Sequence, residues 1–228
     1  MIVAARVRLA AFAALVLSLV HTAPAAAQLS VSGGGLVGQP RTTILFQGTR
    51  ERLGGVWFGG AVNVEVGPVA ISAVGLRGAL EAIENTVAPD RDEAGELLGR
   101  VAVSPLPWFA IEGGYAVRAF NSAAGHQEWK MPSLGAAVSG ALGHPSLRAH
   151  LRAAYLPAVN ITGTDDPDLG VSVETGITAA FRSVPVFLSA VYRLERFDFP
   201  GGAASRLEQF EMLVLSVGFH ASVKGVRE

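Results

Sequence analysis

The sequence predicts an all-β fold: an antiparallel up-and-down transmembrane β-barrel of about ten strands, preceded by a signal-peptide helix. Three observations predict it. The composition is apolar without long apolar runs, segments alternate in polarity from residue to residue, and the links between segments alternate in length. Of the 228 residues, 50% are hydrophobic and 16% are charged. This is a one-domain length, and charged residues are rarer than in an average soluble domain.

Composition also excludes several kinds of site and partner. The chain has no Cys, which excludes disulfides, thiol nucleophiles and thiolate metal sites. The formal net charge is −1, so the basic excess of nucleic-acid-binding proteins is missing and we expect no nucleic-acid partner. After the first twenty residues no run of 18 apolar residues occurs, so no membrane-spanning helix is predicted there. No motif indicates a cofactor or a metal.

Residues 1–27 are predicted to be a secretory signal peptide. The segment has a basic start that includes Arg6, an apolar stretch over 9–20, and the small residues 25–27 for cleavage. The prediction leaves 28–228 as the barrel domain.

Alternating polarity is the main strand signal in the mature chain. Because side chains alternate faces along a strand, each alternating segment has an apolar face and a small or polar face. The clearest segments are 56–66, 109–119, 147–156, 171–182 and 186–196.

The links between these segments also alternate. Tight links rich in Pro and Gly are predicted at 67–68, 105–107, 143–145 and 183–185. Longer polar links are predicted at 47–54, 80–94, 121–128, 159–168 and 199–205. Four short turns and five long loops fit ten strands with both termini on one side, as in bacterial barrels. An eight-stranded barrel is the alternative, since the first strand is poorly defined and Ala79 to Ile83 would suit a short helix.

Alternation alone does not distinguish a membrane barrel from a soluble one, because the soluble barrel has its apolar face inside. The polar faces here are rich in Ser, Gly, Ala and Thr, which suits a narrow lumen. Aromatic residues near the strand ends resemble two interfacial girdles: Phe109, Phe181 and Phe219 on the short-turn side, and Phe58, Tyr155 and Tyr192 on the loop side. Two sets of neighbours decide the orientation: the apolar Leu151, Val173 and Leu188, and the charged Arg152, Glu174 and Arg193.

In the membrane orientation a set of charged side chains faces the lumen. The predicted lumen or pore-lining residues are Glu65, Arg100, Glu112, Arg118, Arg148, His150, Arg152, Glu174, Arg193 and Glu195. They either pair across the lumen and close it, or line a narrow polar path. In the second case Arg148, His150 and Arg152 form a basic stripe that favours anions.

With its signal peptide and its alternating strands, the chain resembles the small bacterial outer-membrane β-barrel superfamily, in the broad group of OmpA-like and OmpW-like barrels. The resemblance covers about residues 29–222 and implies an outer-membrane location, contact with outer-membrane lipid, insertion by the barrel-insertion machinery, and a monomer. Members usually end on an aromatic residue. Here residues 220–228 follow the last amphipathic strand, so the insertion signal is expected to be internal, ending near Phe219.

The predicted function is therefore a structural, envelope or narrow-channel role in the outer membrane, and not an enzyme. The alternative is a soluble periplasmic β-barrel that binds an apolar ligand. A weaker alternative is a lipid-modifying barrel enzyme, which needs His150 or His220 beside a Ser and a carboxylate.

Overall fold

The computed structural model describes residues 29–83, 90–122, 125–181, 183–200 and 206–223. The strands in these residues are β1 (Leu29–Phe46), β2 (Thr49–Gly54), β3 (Trp57–Val66), β4 (Val69–Ala82), β5 (Arg91–Leu106), β6 (Phe109–Ser122), β7 (Gly125–Leu142), β8 (His144–Leu156), β9 (Asn160–Ile161), β10 (Leu169–Ala180), β11 (Val186–Phe199) and β12 (Arg206–Val223). No helix in the described residues is long and apolar enough to cross a membrane. The predicted signal peptide, 1–27, lies outside the described residues and stays a prediction.

The strands close into one antiparallel barrel. Strand β1 pairs with β12 along its whole length, from Leu29 opposite Val223 to Phe46 opposite Arg206. Strands β2 and β3 share one place between β1 and β4, and the two-residue β9 pairs with β7 beside the main ladder. The described strands therefore fill ten barrel positions. This confirms the ten-stranded prediction over the eight-stranded alternative.

The shared place of β2 and β3 reflects a local break in the wall. Gly55 and Val56 leave the ladder, and Gly55 donates its backbone N–H to the carbonyl oxygen of Pro40 on β1 at 3.2 Å. Pro40 has no backbone N–H, so it cannot donate a ladder hydrogen bond. On the other side, the pairing of β4 with β5 shifts register between Gly78 and Leu80. The irregularities of three neighbouring strands thus meet at one height.

Two predicted long loops are wrong, because strands continue through them. Strands β1 and β2 are joined by a two-residue turn at Gln47 and Gly48, whose φ angles of 48° and 79° are those a tight hairpin turn requires. Strand β6 runs to Ser122 and β7 begins at Gly125. The polar residues at 47–54 and 121–128, which predicted loops, instead lie in strand ends that extend beyond the apolar outer surface of the barrel.

The helix suggested for Ala79 to Ile83 is also wrong, since β4 continues to Ala82. Pairing on both sides overrides the local helix propensity: Ala82 lies opposite Leu53 on β2, and Leu80 lies opposite Arg91 on β5.

Of the other long links, those after β4 and β11 are shorter than predicted, whereas the link after β8 spans 157–168. Loop 159–168 contains β9, whose Ile161 N–H donates to Asp166 Oδ1 at 2.7 Å. Strand β11 reaches Phe199, while 201–205, like 84–89 of the link after β4, lie outside the described residues.

The barrel is apolar outside and charged inside. On the outer face Leu151, Val173 and Leu188 are 50%, 43% and 46% exposed, whereas the charged neighbours Arg152 and Arg193 are 4% and 5% exposed. The side chain of Glu174 also faces the lumen and is 12% exposed. A soluble barrel requires the reverse arrangement, so that alternative is wrong.

The apolar outer belt has a defined height. Of the six predicted girdle residues, five are exposed on the outer surface and Phe109 is half-buried. Outward-facing charged residues of the described strands lie towards the loop end of the barrel, among them Arg41, Arg77, Lys130, Arg196 and Glu211. A charge within the belt would cost roughly 2–4 kcal/mol near the bilayer midplane. The chain is a transmembrane β-barrel, an architecture of bacterial outer membranes.

The candidate site in the barrel lumen

Two groups of inward-facing charges lie near the middle of the barrel. We name the ends by their links: the short-turn end has the links after β3, β5, β7 and β10, and the loop end has the others. In bacterial barrels the short turns are periplasmic. Eight of the ten predicted lumen residues, all except Glu65 and Arg148, belong to one of these groups.

The first group is a closed cycle of ion pairs, here called the lumen ring: Glu96, Arg118, Glu195 and Arg193. Arg118 Nη2 lies 2.5 Å from Glu96 Oε2 and 2.6 Å from Glu195 Oε2. Arg193 Nη2 lies 2.6 Å from Glu96 Oε1, and Arg193 Nε lies 3.5 Å from Glu195 Oε1. Strands β5 and β6 supply two members and β11 supplies the other two, so the ring spans the lumen.

The lumen ring is nearly inaccessible to water. Its four side chains are 2–7% exposed, and two glutamates balance two arginines. The Arg118 guanidinium also lies 3.6 Å from the centre of the Phe210 ring, in cation–π geometry. Every charge thus has a partner, which a buried charge requires.

The second group, here called the side cluster, lies on β5, β6, β8 and β10: Arg100, Glu112, His150, Arg152 and Glu174. Arg100 donates from Nη1 and Nη2 to the two oxygens of Glu174 at 3.1 and 2.7 Å. His150 Nε2 lies 3.7 Å from Glu174 Oε1, and Arg152 donates from Nε to Glu112 Oε2. Two members of the predicted basic stripe are therefore held beside carboxylates.

The remaining two predicted lumen residues lie at the short-turn mouth. Glu65 is exposed and accepts a hydrogen bond from Asn63 Nδ2 at 2.9 Å. Arg148 is exposed and donates from Nη2 to Ser139 Oγ at 3.3 Å. Neither reaches the ring or the side cluster.

Towards the loop end, aromatic side chains fill the lumen. We call this packing the aromatic plug: Trp57, Trp129, Phe197, Phe199 and Phe210, all less than 8% exposed. Trp57 and Phe210 have ring centroids 5.9 Å apart, and Trp129 lies 5.0 Å from Phe197 and 6.2 Å from Phe199. The plug therefore begins at the ring, where Phe210 packs on Arg118.

A void of about 10 Å³ lies within the plug. It is lined in part by Thr42, Arg91 and Trp129, each with a buried polar atom that has no hydrogen-bond partner in the described residues. That space is enough for about one water molecule, and three polar partners are enough to bind it.

Towards the short-turn end the lumen opens into a cavity of about 220 Å³, here called the lower cavity. Apolar side chains that include Leu36, Val74, Leu98, Val191 and Val214 form much of its wall. Its charged lining comes from both groups: Glu96 and Arg193 of the ring, and Arg100 and Glu174 of the side cluster. Several inward residues near the mouth are small, namely Ser32, Gly34, Ala61, Ser189 and Ser216, and Phe187 lies beside them.

Sequence reasoning missed Glu96 and the role of the aromatic residues. Glu96 lies four residues before Arg100 on β5, so continuing the alternation by two steps places it on the same face. Alternation also places Trp57 on the lumen face, but no pattern indicates that it packs against Phe210 from the far end of the chain.

No protein-family model and no curated protein matches the chain. Among solved structures, the translocator domain of the autotransporter NalP from Neisseria meningitidis is 14% identical. The match covers 95% of this chain and 96% of that one, with a TM-score of 0.43. OprG from Pseudomonas aeruginosa, an outer membrane protein, is 12% identical over 86% of this chain and 96% of that one, with a TM-score of 0.34.

OmpT, an outer membrane protein of Vibrio cholerae, is 11% identical with a TM-score of 0.34; the match covers 75% of this chain and 60% of that one. This chain thus spans less than two thirds of the OmpT length. At such TM-scores neither function nor ligand carries over, and the barrel assignment rests on the strand pairing of the chain itself. The likeness of this chain to bacterial outer-membrane proteins is one of β-barrel architecture.

Proposed function

We propose that this protein is a structural β-barrel of the outer-membrane envelope whose lumen is closed to ions. The lumen ring carries the proposal. Its four buried side chains reach across the barrel from β5 and β6 to β11 and leave no unpaired charge among them to attract an ion. The aromatic plug adds a second, apolar barrier next to it.

The ten predicted lumen residues have different roles in this proposal. Arg118, Arg193 and Glu195 close the lumen together with Glu96, while the side cluster stiffens the wall between β5 and β10. Glu65 and Arg148 remain hydrated at the mouth. We assign no catalytic role to any of them and no cofactor.

The apolar belt supports lipid as the main contact of the outer surface. Export by the signal peptide, delivery by the barrel-insertion machinery and a monomeric state complete the proposal. Mass spectrometry of the protein from isolated outer membranes is expected to show a chain that begins at Gln28. Gel electrophoresis in detergent is expected to show different migration before and after boiling. Recovery only in the soluble periplasm, without heat-modifiable migration, contradicts it.

Conductance across planar lipid bilayers tests closure directly. We expect the wild-type barrel to show no steady ion conductance. The double variant Arg118→Ala, Phe210→Ala removes the contact at which ring and plug meet, and we expect it to conduct. Glu65→Ala at the mouth is the control and is expected to stay silent.

Two outcomes contradict the closed barrel. Steady single-channel conductance of the wild type favours the narrow channel instead, with the side cluster as its polar wall. A silent double variant that is folded by heat-modifiable migration shows that the ring and Phe210 are not the barrier.

A further inference from the structure

The proposed structural role does not account for the lower cavity, because the ring and plug that close the lumen do not fill it. At about 220 Å³ it is larger than a well-studied engineered protein cavity of about 150 Å³ that binds benzene. Its lining contains apolar side chains from β1, β4, β5, β11 and β12, including Leu36, Leu98 and Val214. A cavity of this size is sufficient for an aromatic ring with a small substituent.

The charged lining of the lower cavity limits the charge of a ligand. Arg193 is paired with Glu96, and Arg100 with Glu174, so the four groups sum to zero and are already partnered. A ligand with a full charge would enter without a counterion and would lose its own hydration, which is costly. An uncharged ligand avoids this loss.

Two polar groups remain available in that lining, the Nε–H groups of Arg100 and Arg193. Arg100 uses Nη1 and Nη2 on Glu174, while its Nε–H is buried and has no hydrogen-bond partner in the described residues. A buried donor without a partner is unfavourable, and an acceptor atom on a ligand would satisfy it. The cavity therefore combines a mainly apolar wall with two donors that lack a hydrogen-bond partner in the described residues.

We infer that the lower cavity is a dead-end binding site for a small uncharged molecule with an apolar body of about one aromatic ring and a hydrogen-bond acceptor. The molecule enters from the short-turn end, because the lumen ring blocks the other side. It binds without being conducted, so the site is distinct from the proposed structural role.

Methionine methyl groups give a direct test in the wild-type barrel. Met212 lines the lower cavity, whereas Met131 is equally buried in the loop half and does not line it. In lipid nanodiscs with methyl-labelled methionine, 4-fluorophenol is expected to shift the Met212 methyl resonance saturably and leave Met131 unchanged. Equal shifts of both resonances, or no saturable shift of Met212, overturn the inference.

Charge selectivity is tested with probes of similar size. Fluorine NMR should show 4-fluorophenol binding at least tenfold more tightly than 4-fluorobenzoate, an anion, or 4-fluorobenzylamine, a cation at neutral pH. Empty nanodiscs correct for partition into lipid. Binding of either charged probe as tightly as 4-fluorophenol overturns the inference.

Two neighbouring residues on β12 provide matched variants. Val214 lines the cavity, while Leu215 faces lipid with 53% exposure. Val214→Phe is expected to weaken 4-fluorophenol binding at least tenfold, and Leu215→Phe is expected to leave it unchanged, each checked for heat-modifiable migration. Unchanged binding by a folded Val214→Phe barrel overturns the site; conductance of the wild type would overturn only the closed lumen.

Discussion

The two halves of the lumen differ sharply although the same strands build both. In the loop half, the inward positions hold large side chains such as Trp57 and Phe197, and the space is packed. In the short-turn half, several inward positions of the same sheet hold Ser, Gly or Ala beside aliphatic residues such as Leu36 and Val214, and the lower cavity remains. Strand alternation is the same throughout, so side-chain volume rather than backbone geometry decides where the barrel is solid.

The charges follow the same division. The lumen ring lies against the aromatic plug and is nearly inaccessible, whereas Arg100 and Glu174 of the side cluster border the lower cavity and retain 17% and 12% exposure. We therefore expect a gradient of mutational cost from the packed half to the open mouth.

Trp57→Ala should have the largest effect, because Trp57 is fully buried, packs on Phe210 and donates from Nε1 to the Ala79 carbonyl at 3.3 Å. The cavity left behind is expected to cost about 3–5 kcal/mol in the free energy of unfolding. Urea unfolding in lipid vesicles measures it. Trp108→Ala, at an exposed turn residue, is the control and should cost well under half as much. Equal losses would show that the loop half is not tightly packed.

Glu96→Gln should have the second-largest effect, a loss of about 3 kcal/mol in the free energy of unfolding. It leaves the buried Arg118 and Arg193 short of one negative charge while keeping the side-chain shape. The same unfolding measurement applies. Glu65→Gln at the exposed mouth is the matched control and should change the stability little. A Glu96 variant as stable as the Glu65 variant would mean that the ring is not sealed from water.

Glu174→Gln should lower the free energy of unfolding by less, about 1–2 kcal/mol. It removes the negative charge and one of the two oxygens that accept hydrogen bonds from Arg100, but both side chains border the cavity and water can reach them. The comparison with Glu96→Gln sharpens the contrast between the two halves. A larger loss at Glu174 than at Glu96 would reverse the gradient.

Arg148→Ala should have the smallest effect, within about 0.5 kcal/mol, because the side chain is exposed and makes only a 3.3 Å hydrogen bond to Ser139. Arg152→Ala on the same strand and face provides the contrast, since Arg152 is buried and donates to Glu112. If the two variants lose the same stability, burial does not set the cost along β8.

The strand faces were predictable because alternation along a strand has a fixed period, and a lipid-facing surface requires apolar residues on one face. Leu151 and Arg152 illustrate this: their opposite exposures follow from their positions alone. Loop lengths were less predictable. Polar residues around Arg50 and Gln127 extend strands beyond the belt, and polarity there does not distinguish a strand from a loop.

The pairings inside the lumen could not be predicted from the sequence. Which inward residues meet depends on the tilt and register of strands that lie on opposite walls. Glu96 and Arg193, 97 residues apart, are brought together only by the closed barrel. The same holds for Trp57 and Phe210.

That separation has a consequence for how the barrel assembles. The two ring contacts that cross the lumen join residues 77 and 97 positions apart, so forming them costs a large loop-closure entropy. A slip of one residue in β11 would turn Arg193 and Glu195 towards lipid and Leu194 into the lumen. It would also leave Glu96 and Arg118 without those partners. The lumen ring thus makes a barrel with β11 out of register costly on both faces and favours the native register.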